Sequence, residues 1–144
     1  MTEVCIDAGL AIKLVLQESD SARADQLFAK WKAEETRLIA PAFAPAEIDS
    51  IIRQRVARGE ITEEQAETYF QAAVGLPIEF PVEPTLRLHA WKIARQFSFV
   101  HVYDAVYLAL AELRGCQFWT ADRRLFDQVK NDLNFVRHVA DWSP

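Results

Sequence analysis

Short apolar runs alternate along the chain with longer stretches whose apolar positions recur every three or four residues. The short runs predict strands near 3–7, 37–40, 78–82, 117–120 and 134–137. The longer stretches predict helices near 8–17, 20–34, 44–58, 62–74, 85–97, 104–114 and 122–131. This alternation is the order of an α/β chain with a parallel sheet between helices. The punctuation agrees. Thr62 with Gln65 makes a capping box, and Pro45 suits a first helical turn. Arg55 and Arg58 sit at a helix end, where they oppose the dipole. Gly59, Gly75 and Gly115 each follow a helical run, where a left-handed residue stops a helix. Gly9 has no such role. It stands just after a strand, in a tight turn or where a missing side chain lets a ligand approach the backbone. No linker, repeat or low-complexity segment interrupts the pattern, so one domain is expected over residues 1–144.

Four acids break the pattern. Asp7 closes the strand-like Val4-Cys5-Ile6, and Glu47 lies at the start of a helix after Ala44-Pro45. Asp104 opens the apolar helical run 105–110, and Asp122 follows the strand-like Gln117-Phe118-Trp119-Thr120. Asp104 and Asp122 also suit helix N-caps, for which Asp is a favoured residue. Glu47 fits a capping box poorly, because the cap would be Ala44, which has no side-chain acceptor. Asp7 ends what should be a central strand buried on both faces, where an unpaired carboxylate is costly.

Taken together, the acids have a shared account. In open parallel sheets, sites form beyond the carboxyl ends of the strands, near the point where strand order reverses. Asp7, Glu47 and Asp122 follow strands on that edge, and the helix opened by Asp104 can point its N-terminus there. A carboxylate cluster without Cys or His selects a hard cation, Mg²⁺ or Mn²⁺. Such ions bridge phosphate oxygens and activate water.

Composition narrows the picture. The chain has 144 residues, 51% of them apolar, enough for one real core. Its net charge of −5 argues against a general nucleic-acid coat but leaves room for a local basic patch. No apolar stretch approaches the roughly 18 residues of a membrane span, and no signal-peptide pattern opens the chain. Cys5 and Cys116 read as small buried hydrophobes in a reducing compartment, so a cytoplasmic location and no membrane partner are expected. Trp31, Trp91, Trp119 and Trp142 read as core or dimer contacts rather than base-stacking platforms, since basic residues are not interleaved with them. Arg123 and Arg124 directly follow Asp122 and are candidate phosphate contacts, which Arg53, Arg55 and Arg58 extend; the alternative is a solvated, salt-bridged helix face. His101, three residues before Asp104, is a weaker candidate.

The segments VCIDAGLAIKLVLQE, APAFAPAEIDSIIRQ, YDAVYLALAELRG and FWTADRRLF resemble, in order and spacing, the four acidic motifs of the PIN-domain ribonucleases. The resemblance covers essentially the whole chain and is greatest to the small VapC-type toxins of toxin–antitoxin pairs. It implies a three-layer α/β/α fold with a five-stranded parallel sheet and Mg²⁺- or Mn²⁺-dependent endoribonuclease activity. It also implies an RNA substrate, a homodimer and a cognate antitoxin. By the same resemblance, Asp7, Glu47, Asp104 and Asp122 are the metal-binding and catalytic acids. Thr120 resembles the hydroxyl residue that supports the last acid, and is grouped with Arg123 and Arg124 as a candidate substrate contact. Two positions depart from the pattern. Gly9 stands where the family often has Ser or Thr, and Asp49-Ser50 stand where it often has a small residue followed by Asn.

Other readings of such a chain are a PIN-like binding module without catalysis and, more remotely, a receiver-type signalling domain. The receiver expects adjacent acids after the first strand, but Ala8 follows Asp7. A haloacid-dehalogenase phosphatase expects a second Asp two positions after the first, where Gly9 stands.

Overall fold

In the computed structural model, which describes residues 2–144, five strands form one wholly parallel sheet. They are β1 (Glu3–Ile6), β2 (Arg37–Ile39), β3 (Ile78–Glu79), β4 (Gln117–Thr120) and β5 (Val136–His138), in the spatial order β3-β2-β1-β4-β5. The helices are α1 (Ala8–Lys13), α2 (Ser21–Ala33), α3 (Ala44–Ala57), α4 (Glu63–Val74), α5 (Leu86–Gln96), α6 (Tyr103–Arg114) and α7 (Arg123–Val129). A 3₁₀ turn at Val139–Asp141 follows β5. No helix among the described residues is long and apolar enough to cross a membrane.

Successive residues of a strand point to opposite faces, so each central strand feeds two cores. Cys5 and Phe118 enter the layer beneath α5, α6 and α7, with Tyr107, Leu108 and Val129. Val4, Ile6 and Trp119 enter the layer beneath α1–α4, with Leu10, Leu27, Trp31 and Ile48. This is the expected three-layer α/β/α arrangement. The alanines of α6 (Ala105, Ala109, Ala111) are fully buried, which lets that helix lie close on the sheet and against α5.

The topology sets the site. The chain steps outward from β1 to β2 to β3, then returns through α5 and α6 to lay β4 on the other side of β1. Strand order therefore reverses between β1 and β4, whose register pairs Ile6 with Trp119. The next residues on both strands, Asp7 and Thr120, emerge side by side at the carboxyl edge. This order also removes the receiver reading, which would place the third strand beside the first; here β3 lies at the edge.

Several boundaries differ from expectation for local reasons. Helix 8–17 stops at Lys13, because Ser21 Oγ takes the Leu16 carbonyl at 2.8 Å and accepts from the Glu18 N–H at 3.0 Å, closing a turn. Strand 78–82 shrinks to Ile78–Glu79, since Pro81 has no N–H for the ladder. The last strand begins at Val136 rather than 134 and runs on to His138. Gly59 and Gly115 are left-handed as expected, but Gly75 is not (φ −79°). There the helix stops because Leu76 precedes Pro77, a position disfavoured for helical backbone.

Candidate active site

Asp7 leaves β1 and caps α1, with Oδ1 accepting from the Leu10 N–H at 2.8 Å. Its other oxygen accepts from the Thr120 hydroxyl. That hydroxyl in turn accepts from the Asp122 N–H at 2.9 Å, so one buried Thr ties together the ends of β1 and β4. Asp122 caps α7, its Oδ1 accepting from the Leu125 N–H at 3.2 Å. Thr120 has no exposed surface, so it cannot meet a substrate. Its grouping with the substrate contacts is corrected: it orients Asp7 and Asp122.

The other two acids come from helices. Asp104 sits in the first turn of α6 but does not cap it; the cap position is Val102, which contributes no side-chain bond. Tyr107, one turn further along α6, donates its hydroxyl proton to Glu47 Oε1 at 2.7 Å. Tyr107 is itself wedged edge-on against Phe43, with ring centroids 5.5 Å apart. Phe43, not Ala44, precedes α3, so Glu47 lies outside any capping box. Neither Glu47 nor Asp104 therefore has a helix end to satisfy.

All four carboxylates line one cleft of about 330 Å³, together with Gly9, Lys13 and a fifth acid, Glu18, which is paired with Lys13 and Arg55. Loss of water raises the pKa of Asp7 to about 6; the bonds from Thr120 and Leu10 oppose the rise, and Asp104 adds to it. Glu47 is also raised, first by burial, against the Tyr107 bond, and further by Asp104. Asp104 reaches solvent on one side and is backed by protein on the other. Its pKa is raised by that desolvation and by Asp122, while Arg124 acts the other way. Asp104 thus lies at the electrostatic centre of the set, coupled to each of the other three.

These four acids are hard oxygen donors, and burial holds three of them, Asp7, Glu47 and Asp104, above the ordinary carboxylate range, a cost that a small divalent cation relieves. Among the described residues, no three His, Cys, Asp or Glu side chains stand close enough to form a ready-made cation site. Binding would require the carboxylates to draw inward across the cleft. The donor chemistry fits the cation; the side-chain positions are those of an open cleft.

Gly9 follows a helical backbone rather than a left-handed one. A Cβ there would lie 3.6 Å from Asp7 Oδ1 and 3.7 Å from the Ala121 Cβ, ordinary contact distances. Its bareness widens the cleft wall and is not forced by the turn. Asp49 faces the groove between α3 and α4 with Arg53 and Phe70, away from the acids.

The basic candidates divide. Arg123 is bound by both carboxylate oxygens of Asp141 (2.8 and 3.0 Å) and lies over the Phe126 ring. Arg53 is held by Glu63 at 2.7 Å, and Arg55 by Glu18 at 2.7 Å. Only Arg124 of the adjacent pair lines a cleft with the acids. Sequence reasoning missed Tyr107, although its spacing of three from Asp104 on one helix was a usable signal. It also missed Lys13, which lines the acid cleft and bonds Glu18 Oε1 (3.3 Å) and the Ser19 carbonyl (2.7 Å).

A parallel sheet of this order, with acids gathered where it reverses, defines a class of small α/β nuclease-like domains. The PIN domain family model matches residues 4–132, and the chain belongs to that family. Ribonuclease VapC1 of Mycobacterium tuberculosis is 29% identical over 126 residues, 87% of this chain and 90% of that protein. Among solved structures, PAE2754 from Pyrobaculum aerophilum shares the fold with a TM-score of 0.69 at 18% identity, over 96% of this chain and 92% of that one. VapC20 of Mycobacterium tuberculosis, a sarcin-ricin loop cleaving toxin, gives a TM-score of 0.62 at 15% identity, over 90% of this chain and 95% of that one.

Proposed function

We propose that this chain is a VapC-type endoribonuclease, the toxin of a toxin–antitoxin pair, hydrolysing RNA phosphodiester bonds in the cytoplasm with Mg²⁺ or Mn²⁺. The observation that carries the reading is the cleft at the sheet reversal of a PIN-domain chain that gathers Asp7, Glu47, Asp104 and Asp122. Asp7, Glu47, Asp104 and Asp122 would hold the cation, which when bound neutralises phosphate oxygens and activates water. The protein's own part is preorganisation. Thr120 fixes the plane of the Asp7 carboxylate, and Tyr107 holds Glu47 facing the cleft. Asp7, raised to about 6, would give up its proton as a cation loads in mildly acid solution.

A homodimer would have exposed apolar side chains on α5 to use, Leu88 and Trp91. A cognate antitoxin would complete the pair. A binding module without catalysis is the second reading, favoured by the open spacing of the carboxylates.

Purified protein freed of any partner should cleave single-stranded or structured RNA with Mn²⁺ or Mg²⁺ and stop in EDTA. Asp7→Asn and Asp104→Asn should abolish cleavage. Equal cleavage by wild type and both variants would mean a contaminating nuclease and sink the assignment; folded protein that binds RNA without cutting it would support the module.

A further inference from the structure

A second cleft, of about 510 Å³, opens on the other side of Asp104 and Asp122, which line both. The two clefts meet at these two acids. The second lies between the loop after α5 (Ser98, Phe99, Val100, His101) and the exposed side of α7 (Arg124, Gln128). Its size falls within the roughly 300–1,000 Å³ of small-ligand sites.

Its walls are built and chemically divided. Gln128 donates to the Phe97 carbonyl at 3.1 Å, tying α7 to the start of the loop. The Phe99 N–H returns to the Ala94 carbonyl at 2.9 Å, and the Phe99 ring stacks on Phe97 with centroids 5.7 Å apart. The loop is therefore fixed, with Ser98 in a left-handed turn (φ 54°). It presents Phe99, Val100 and His101 to the cleft, Val100 being 90% exposed. On the opposite wall, Arg124 has no carboxylate within salt-bridge distance among the described residues, whereas Arg123 is held by Asp141. An unpaired guanidinium facing an aromatic and apolar wall suits a phosphate on one side and a base on the other.

We infer that this second cleft receives the nucleotide adjoining the scissile phosphate of a single-stranded RNA, with Arg124 on a backbone phosphate and the base against Phe99 and His101. The inference rests on the ribonuclease reading and adds where the strand runs. It also assigns different work to two neighbouring arginines: Arg124 binds RNA, and Arg123 holds the C-terminal turn to α7.

The test is fluorescence anisotropy with a labelled single-stranded RNA decamer in EDTA, over about 50–300 mM KCl, where each lost phosphate contact lowers the salt slope by about 0.7. Arg124→Gln should reduce the slope of log K against log salt by that amount and weaken all RNA sequences alike. Arg123→Gln should leave the slope unchanged. His101→Ala, at an exposed loop position, should keep the slope and weaken binding roughly fivefold or more, the loss of one stacked base. A wild-type slope in Arg124→Gln, or an equal loss in Arg123→Gln, overturns the subsite. If wild type cleaves RNA while Arg124→Gln binds and cleaves as it does, the subsite alone fails. If Arg124→Gln lowers the slope as expected but wild type never cleaves with Mn²⁺ or Mg²⁺, the ribonuclease reading fails and the cleft stands as an RNA-binding site alone. Folded wild type that binds no RNA at 50 mM KCl overturns both.

Discussion

Replacing Asp7 by Asn should make the cation-free protein more stable near pH 7.5. Asp7 has a folded-state pKa of about 6 against an ordinary 3.8, the result first of burial. At about 1.4 kcal/mol per pH unit, that gap corresponds to ~3 kcal/mol by which the charged form weakens the fold at neutral pH. Asn can keep the cap to the Leu10 N–H but offers an NH₂ where the Thr120 hydroxyl now donates, a loss of ~1 kcal/mol. The net gain is ~2 kcal/mol, or roughly 5–8 °C in Tm for a chain of this size. The sign follows from linkage. Wild-type stability from this group is fully present below pH 3.8 and lost as pH rises through about 6. Asn has no such dependence. The advantage of Asp7→Asn should therefore shrink between pH 7.5 and pH 4.5 and vanish or reverse at the acid end. Glu47 and Asp104 titrate in both proteins, so their direct contribution largely cancels in the difference. Thermal melts in EDTA at the two pH values decide it. A variant less stable than wild type at pH 7.5, or a Tm difference that ignores pH, refutes the reasoning.

The other expectations concern the same edge. Thr120→Val keeps the buried shape but strips the shared hydroxyl, leaving the Asp122 N–H unpaired; Tm should fall with a cost of ~1–3 kcal/mol, and the pH profile of cleavage should move upward as Asp7 loses a bond that lowers its pKa. An unchanged pH profile would speak against Thr120 as the residue that positions Asp7. Gly9→Ala should raise Tm through a gain of ~0.5–1 kcal/mol, because the backbone is helical and the added methyl meets nothing closer than 3.6 Å. Lost stability there would show that the cleft wall is tighter than its contacts indicate. Mn²⁺ at a hundred times its dissociation constant should stabilise wild type by about 2.7 kcal/mol and Asp104→Asn much less, read as paired melts with and without the ion.

Much of this architecture was legible in the chain. Val4-Cys5-Ile6 and Phe118-Trp119-Thr120 read as strands because residues buried on both faces leave unbroken apolar runs. Asp7 stood out for the same reason, being a carboxylate at the end of such a run. Capping was harder to read, since a short acid before an apolar helix looks alike whether it lies at the cap or inside the first turn. Asp122 is a cap and Asp104 is not. Tyr107 was hidden because an aromatic residue in an alanine- and leucine-rich helix reads as core, which most of it is; only its hydroxyl reaches Glu47. The pairing of Lys13 and Arg55 with Glu18 depends on a turn and a helix meeting in space. Arg123 and Arg124 are adjacent in sequence yet about 100° apart around a helix, so their different fates could not be read from position alone.

The double duty of two acids sets which sequence changes this fold would tolerate if the activity were no longer needed. Asp7 and Asp122 each hold a helix end through one oxygen, so replacement by a residue without an acceptor forfeits a cap worth ~1 kcal/mol. Asp104 carries no such duty, and its charge sits among three others. A lineage released from selection for catalysis would keep short polar residues such as Asn or Ser at positions 7 and 122 and admit almost anything at 104. Position 104, rather than the buried strand end, is where a silenced descendant would first betray itself.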